Sequence, residues 1–266
     1  MNQNYSAMKN FFTILLLLAA GSAQAQLELG MHYVGSAPMS TLGENIQPVH
    51  SVELFGYGRL KFDRQFYAGG ELTFGEYAHV SRMQTFVSPE DGSATITEVD
   101  YSSNIHRYHL FAGYDLLNGT LVIPYLTVKA GVSRFNTNIV IEDPEDPHGC
   151  HPLEEETALT KAAFTGGAGA GIRLDASSLF KGWSRGRTWI DFSANYLLGS
   201  SVDYVNVRYL DPQKPGPNLS TREIGVEFID LHTQHIHEHA IAQVYTSTVN
   251  LLDYRIGIVK RFGKED

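Results

Sequence analysis

Leu252-Asp253-Tyr254-Arg255-Ile256-Gly257-Ile258-Val259-Lys260-Arg261-Phe262 decides the fold. Side chains alternate between the two faces of a strand. Leu252, Tyr254, Ile256, Ile258 and Phe262 therefore share one face, and Asp253, Arg255, Gly257 and Arg261 share the other. In a soluble sheet the charged face would meet water and the apolar face a core. The same dyad recurs in about eight segments, and no segment of helical period offers a second core layer. The pattern predicts an all-β transmembrane antiparallel up-and-down β-barrel, with lipid as its outer solvent.

The other seven segments can be read with their faces. Their outward sets are Leu27, Leu29, Met31 and Tyr33; Val52, Leu54, Leu60 and Phe62; Phe66, Ala68, Leu72 and Phe74; Tyr108, Leu110, Ala112 and Tyr114; Val122, Pro124, Leu126, Val128 and Val132; Phe164, Ala168, Ala170, Ile172 and Leu174; Ile190, Phe192, Ala194, Tyr196 and Leu198. The one charge on any outward face is Lys260, placed to snorkel toward an interface. The opposite faces carry Glu28, Glu53, Glu71, Asp115, Asp175, Asp191 and Asp253, together with Arg59, Lys61, Arg107, Lys129, Arg173, Arg255 and Arg261. Small eight-stranded barrels have interiors just wide enough for side chains to fill. Balanced acids and bases on the inward face predict a paired network and a closed lumen, whereas a pore favours a ring of one sign.

The front of the chain predicts export. Lys9-Asn10 precedes an apolar run from Phe11 to Ala20, and Ala23-Gln24-Ala25 supplies a small-residue cleavage site. Residues 1–25 read as a signal peptide and 26–266 as one barrel domain. The apolar run is about half of the roughly 20 residues a spanning helix needs. The chain's net charge is -9, which disfavours nucleic acid as a partner. Its single cysteine, Cys150, excludes an internal disulfide framework.

Short and long connections alternate. Phe62–Gln65, Leu116–Thr120 and Ser177–Arg187 are short or medium, while 37–49, 80–103, 141–160 and 206–243 are long. Outer-membrane barrels show this asymmetry, with the short turns in the periplasm. Met83–Val87 and Thr95–Val99 alternate around Ser88-Pro89-Glu90-Asp91-Gly92-Ser93, a turn signal, so extended outer hairpins are expected. Ten strands is the alternative count, with a hidden pair within 200–245.

The Ala23-Gln24-Ala25-Gln26 junction, the Phe111-Ala112-Gly113-Tyr114 strand and the ending Arg255–Phe262 resemble small outer-membrane β-barrel proteins of the OmpA-like type, in the form common in Bacteroidota. The resemblance implies the outer membrane of a Gram-negative bacterium. It also implies membrane lipid and lipopolysaccharide as surroundings and an outer-membrane or extracellular protein as partner. Adhesins, anchors, small-ligand binders, lipid-modifying enzymes and secretion-system parts share such barrels, so the fold does not assign a role.

Two groups of residues could carry chemistry. His235, His237 and His239 alternate within Leu231–His239, and imidazoles suit Zn or Cu. Cys150, between His148 and His151, could add a thiolate to such a site. The bland reading is a solvated loop that binds nothing. His106, His109, Ser201 and Asp203 fall near the expected outer rim, without a nucleophile elbow or other catalytic signature. Gly166–Gly171 lacks the strand-to-helix context of a phosphate loop. The expected function is a non-enzymatic outer-membrane barrel with a closed lumen and a structural or recognition role through its long loops, requiring no cofactor. The alternatives are an outer-membrane hydrolase, directed at lipid A or peptide, and a metal-binding barrel.

Overall fold

The computed structural model describes residues 27–60, 63–87, 92, 94–117, 119–141, 143, 154–180, 186–209, 223–229 and 236–262. The signal-peptide segment, Lys61, Phe62, Cys150 and His235 lie outside the described residues. The strands are β1 (Leu27–Pro38), β2 (Val49–Arg59), β3 (Phe66–Val87), β4 (Ala94–Asp115), β5 (Val122–Ile141), β6 (Glu154–Asp175), β7 (Thr188–Val205), β8 (Glu223–Ile229) and β9 (Ile236–Phe262). A short helix, α1 (Ser40–Asn45), joins β1 to β2.

Strands β1 to β7 pair in order, all antiparallel, and β9 closes the sheet by pairing with both β7 and β1. The barrel is therefore eight-stranded. A ten-stranded barrel does not form: β8 pairs only with the 236–243 stretch of β9, beyond the residues that β7 engages.

Following cross-strand register partners around the barrel from Leu27 leads through Gly58, Ala68, Ala112, Val128, Ala168, Tyr196 and Leu252 back to β1 at Ala37, a stagger of ten residues. That stagger over eight strands tilts them by roughly 40°. Each residue then climbs about 2.5 Å along the axis. The outward run on β9, Leu252 to Phe262, covers a height of about 25 Å, the height of the apolar band on an outer-membrane barrel.

Faces follow the alternation in the sequence. Leu27, Leu29, Met31, Tyr33, Val52, Leu54, Leu72, Leu110, Leu126, Val128, Ile172, Phe192, Ile256 and Ile258 are exposed, while Glu28, Glu53, Glu71, Arg107, Lys129 and Asp253 are buried. Exposed Lys260 lies with its ammonium 5.5 Å from the Phe262 ring. Inward glycines let bulky neighbours and tilted strands pack closely. At the closure seam, a Cβ on Gly257 would sit 2.0 Å from the Met31 carbonyl oxygen, so only glycine fits there.

The inward face changes character along the axis, which the sequence reading did not foresee. Toward the short turns and termini it is charged and aromatic. Toward the long connections it is apolar: Val49, Ile105, Phe135, Leu197, Val249 and Leu251 form one buried cluster with Tyr77 and Tyr204. Two connections fold in over this cluster. Leu42 of α1 is fully buried, and the Asn45 side chain donates to the Tyr204 hydroxyl at 3.0 Å. Beyond β7, Val207 is fully buried, and Asn206 donates to the Asn45 carbonyl at 2.7 Å. The Val205 carbonyl accepts from Tyr77 at 2.7 Å and Ser103 at 2.9 Å, which ties this segment across to β3 and β4.

Candidate functional site

Below the apolar plug, Glu28, Glu53, Glu71, Asp115, Asp191 and Asp253 meet Arg59, Arg107, Lys129, Arg173, Arg255 and Arg261, and each of these carboxylates touches at least one of these cations. Asp175, buried at the short-turn end, accepts from the backbone N–H groups of Ser177 at 2.9 Å and Gly186 at 2.8 Å. Register builds this network. Glu53 on β2, Glu71 on β3, Lys129 on β5 and Arg255 on β9 all project inward because their strands alternate in phase.

Arg255 is the hub. One terminal nitrogen, Nη1, donates to Glu53 and to Glu71, each at 3.0 Å, and Nη2 donates to Asp253 at 3.1 Å. Lys129 donates to both oxygens of Glu71 at 2.7 Å. Arg107 grips both oxygens of Asp253, at 2.9 and 2.8 Å. Neutral groups fill the remaining acceptor capacity: Ser36 donates to Asp253 at 2.6 Å and Thr73 to Glu53 at 3.0 Å. A planar guanidinium can serve three carboxylates at once, which a lysine's point charge cannot do as well.

Nearer the short turns, Arg173 is ringed by aromatics. Its guanidinium carbon lies 4.3 Å from the Tyr125 ring centroid, 4.7 Å from Tyr67 and 5.2 Å from Tyr57. It also reaches Asp115 at 3.0 Å and Asp191 at 3.3 Å. Arg59 bridges Glu28 and Asp115, each at 2.7 Å. The Tyr57 hydroxyl donates to Glu28. Buried charges are costly unless paired and hydrogen-bonded. Between this layer and the Arg255 hub lies a cavity of about 30 Å³ lined by His32, Glu53, Tyr67, Lys129, Arg173 and Asp191. That volume holds about one water molecule.

The chain is similar to several solved surface and outer-membrane proteins. The Neisserial surface protein A structure is 10% identical, covering 89% of this chain and 96% of that one, with a TM-score of 0.41. Ail, the attachment invasion locus protein of Yersinia pestis, is 10% identical over 90% of this chain and 97% of its own, with a TM-score of 0.39. The outer membrane protease OmpT from Escherichia coli is 8% identical over 90% and 96%, with a TM-score of 0.33. None of the three is close enough to assign a role. No protein-family model matches the chain, and no curated protein matches it in sequence.

The residues singled out in sequence fall in separate settings. His109 is buried in the lumen, one ring nitrogen 3.2 Å from Glu71 and the other 2.7 Å from the Thr165 hydroxyl. His106 faces outward on β4, its ring against Phe74, with Asn136 3.4 Å from Nδ1. Asp203 accepts from Thr246 at 2.6 Å, and Ser201 is exposed on the same strand. These four do not assemble into a nucleophile–base–orienter set. His237 and His239 occupy β9 positions opposite Phe228 and Val226. Their expected partners His235 and Cys150 are outside the described residues, and among the described residues no three metal-ligating side chains are grouped to hold an ion.

One serine–histidine–acid grouping was not legible in sequence. On the outward face of the β3–β4 hairpin, His79 Nε2 lies 3.3 Å from Ser81 Oγ, and His79 Nδ1 lies 3.8 Å from Glu76. The Ser81 hydroxyl has one proton, and its close contact is donation to Asp100. A nucleophile needs its proton aimed at the base and the base held by the acid. Here neither holds, and half of the histidine side chain lies in solvent.

Proposed function

We propose that the chain is a non-enzymatic outer-membrane β-barrel of a Gram-negative bacterium, sealed along its lumen, with a structural or recognition role at the long-connection end. One observation carries this reading: an uninterrupted exposed apolar belt encloses an interior filled by paired charges below and an apolar plug above. A soluble protein would not expose Leu29, Leu54, Leu110, Val128 and Ile256 on one continuous surface without a partner. Closure into a barrel leaves no strand edge to meet lipid.

β3 and β4 stay paired from Phe66–Tyr114 to Val87–Ala94, 22 residues each, whereas about 9–11 residues span a membrane. We place the surplus outside the cell, next to lipopolysaccharide, as the surface that meets an outer-membrane or extracellular protein. The separation of His106, His109, Ser201 and Asp203 favours recognition over hydrolysis.

Cell fractionation and gel mobility test the reading. The protein is expected in the outer-membrane fraction, and the unboiled form should migrate differently from the boiled form in SDS. Recovery as a soluble periplasmic protein would overturn the proposal. In planar bilayers the purified barrel is expected to give no steady conductance. A steady large-pore current would refute the sealed lumen while leaving the membrane location intact.

A further inference from the structure

The exposed apolar belt ends in step on three neighbouring strands, and a groove lies where it ends. On β2 the outward sequence passes from Leu54 and Val52 to His50. On β3 it passes from Leu72 and Phe74 to Glu76. On β4 it passes from Leu110 and Tyr108 to His106 and Asn104. The groove encloses about 430 Å³ and is bordered by Tyr33, Val52 and Phe74 on its apolar side and by His50, Glu76, Asn104 and His106 on its polar side.

Its polar groups are held in place. The Tyr33 hydroxyl and His50 Nδ1 are 2.5 Å apart, and their rings stack at 5.9 Å. The His106 ring stands edge-on to Phe74 at 5.4 Å. Register sets these residues side by side: Val52 pairs with Phe74, Phe74 with His106, and Glu76 with both His50 and Asn104.

An occupant of this groove must be amphiphilic, with its apolar part toward the belt and its polar part toward the histidines. The polar lining mixes donors and acceptors (imidazole, amide, phenol and carboxylate), a set suited to hydroxyl and amide groups. The only fixed charge among the lining residues is Glu76. Arg134, exposed and the register partner of His106 on β5, stands beside the groove, outside its lining. One arginine beside a lining carboxylate is not the multidentate clamp that a phosphate calls for. A few placed polar groups beside apolar and aromatic walls is the usual make-up of a small-ligand site.

We propose that this groove holds the sugar ring of an acylated glycolipid of the outer leaflet, through its hydroxyl and amide groups rather than its phosphates. The proposal rests on the reading of the chain as an outer-membrane barrel.

Native mass spectrometry of the purified barrel tests it, with lipid A, phosphate-stripped lipid A and phosphatidylethanolamine as probes. The wild-type barrel should retain both forms of lipid A in preference to phosphatidylethanolamine. Replacing His50, Asn104 and His106 together by Ala should lower lipid A retention by about tenfold, the worth of one or two hydrogen bonds. Glu76→Lys should also lower it. Both variants should keep the heat-modifiable mobility of the folded barrel. Equal retention by the triple variant, or equal retention of phosphatidylethanolamine, would overturn the proposal. Stronger binding by Glu76→Lys, or loss of binding on removing the phosphates, would show phosphate recognition and overturn it too. If the wild-type protein shows no heat-modifiable form, the membrane reading itself has failed, and the groove proposal falls with it.

Discussion

Arg255→Met is expected to destabilise the barrel by about 3–5 kcal/mol, the cost of removing one partner from a buried ion network. Arg255 is buried and serves Glu53, Glu71 and Asp253 together. Its loss strands negative charge that Lys129 and Arg107 compensate only in part, since Lys129 holds Glu71 and Arg107 holds Asp253. Glu53 would keep only His32 and Thr73. Urea unfolding in lipid vesicles reads the effect as a shift of midpoint at unchanged slope. Adding Glu53→Gln to the variant should restore part of the loss, because it removes the carboxylate left worst served. A loss of less than about 1 kcal/mol, the range of an exposed pair, would mean the lumen is wet and open.

A depth-dependent penalty is expected on the outer face. Val128→Arg, in the middle of the outward run on β5, should cost about 2–4 kcal/mol, and Val122→Arg, at the short-turn end of the same run, about 0–1 kcal/mol. Both side chains are exposed, so neither replacement breaks a packed core. In water both substitutions would fall within about 0.5 kcal/mol of wild type. Equal small penalties would therefore argue against a lipid-facing belt.

The outward faces were legible in the sequence because exposed apolar side chains alternate strictly with buried charged, small and aromatic ones. A one-residue slip on β9 would place Asp253 and Arg255 in the belt, so register is strongly specified. The balance of inward acids and bases was legible as composition. Their pairing was not, because Arg255 meets residues on β2 and β3 only after closure and stagger bring those strands together. The apolar plug was hidden for a different reason. Leu197-Leu198 and Leu251-Leu252 are apolar on both faces, so period-2 reading finds no phase there. Leu42 and Val207 sit in helical turns of six and three residues within their connections, too short to show a period. The groove joins His50 and His106, distant in sequence and each unremarkable alone; only the register through β3 makes them neighbours.

Collision accessibility of a nitroxide label tests the central claim most directly. The chain's single native cysteine would first be replaced by Cys150→Ser, and labels then placed one at a time at Val128, Ile256 and Leu117 in vesicle-reconstituted protein. Val128 and Ile256 lie in the exposed belt, and Leu117 lies in the β4–β5 turn. Oxygen, which concentrates in lipid, is expected to dominate over a water-soluble nickel complex at Val128 and Ile256, and the reverse at Leu117. Equal access of the nickel complex at all three positions would contradict it.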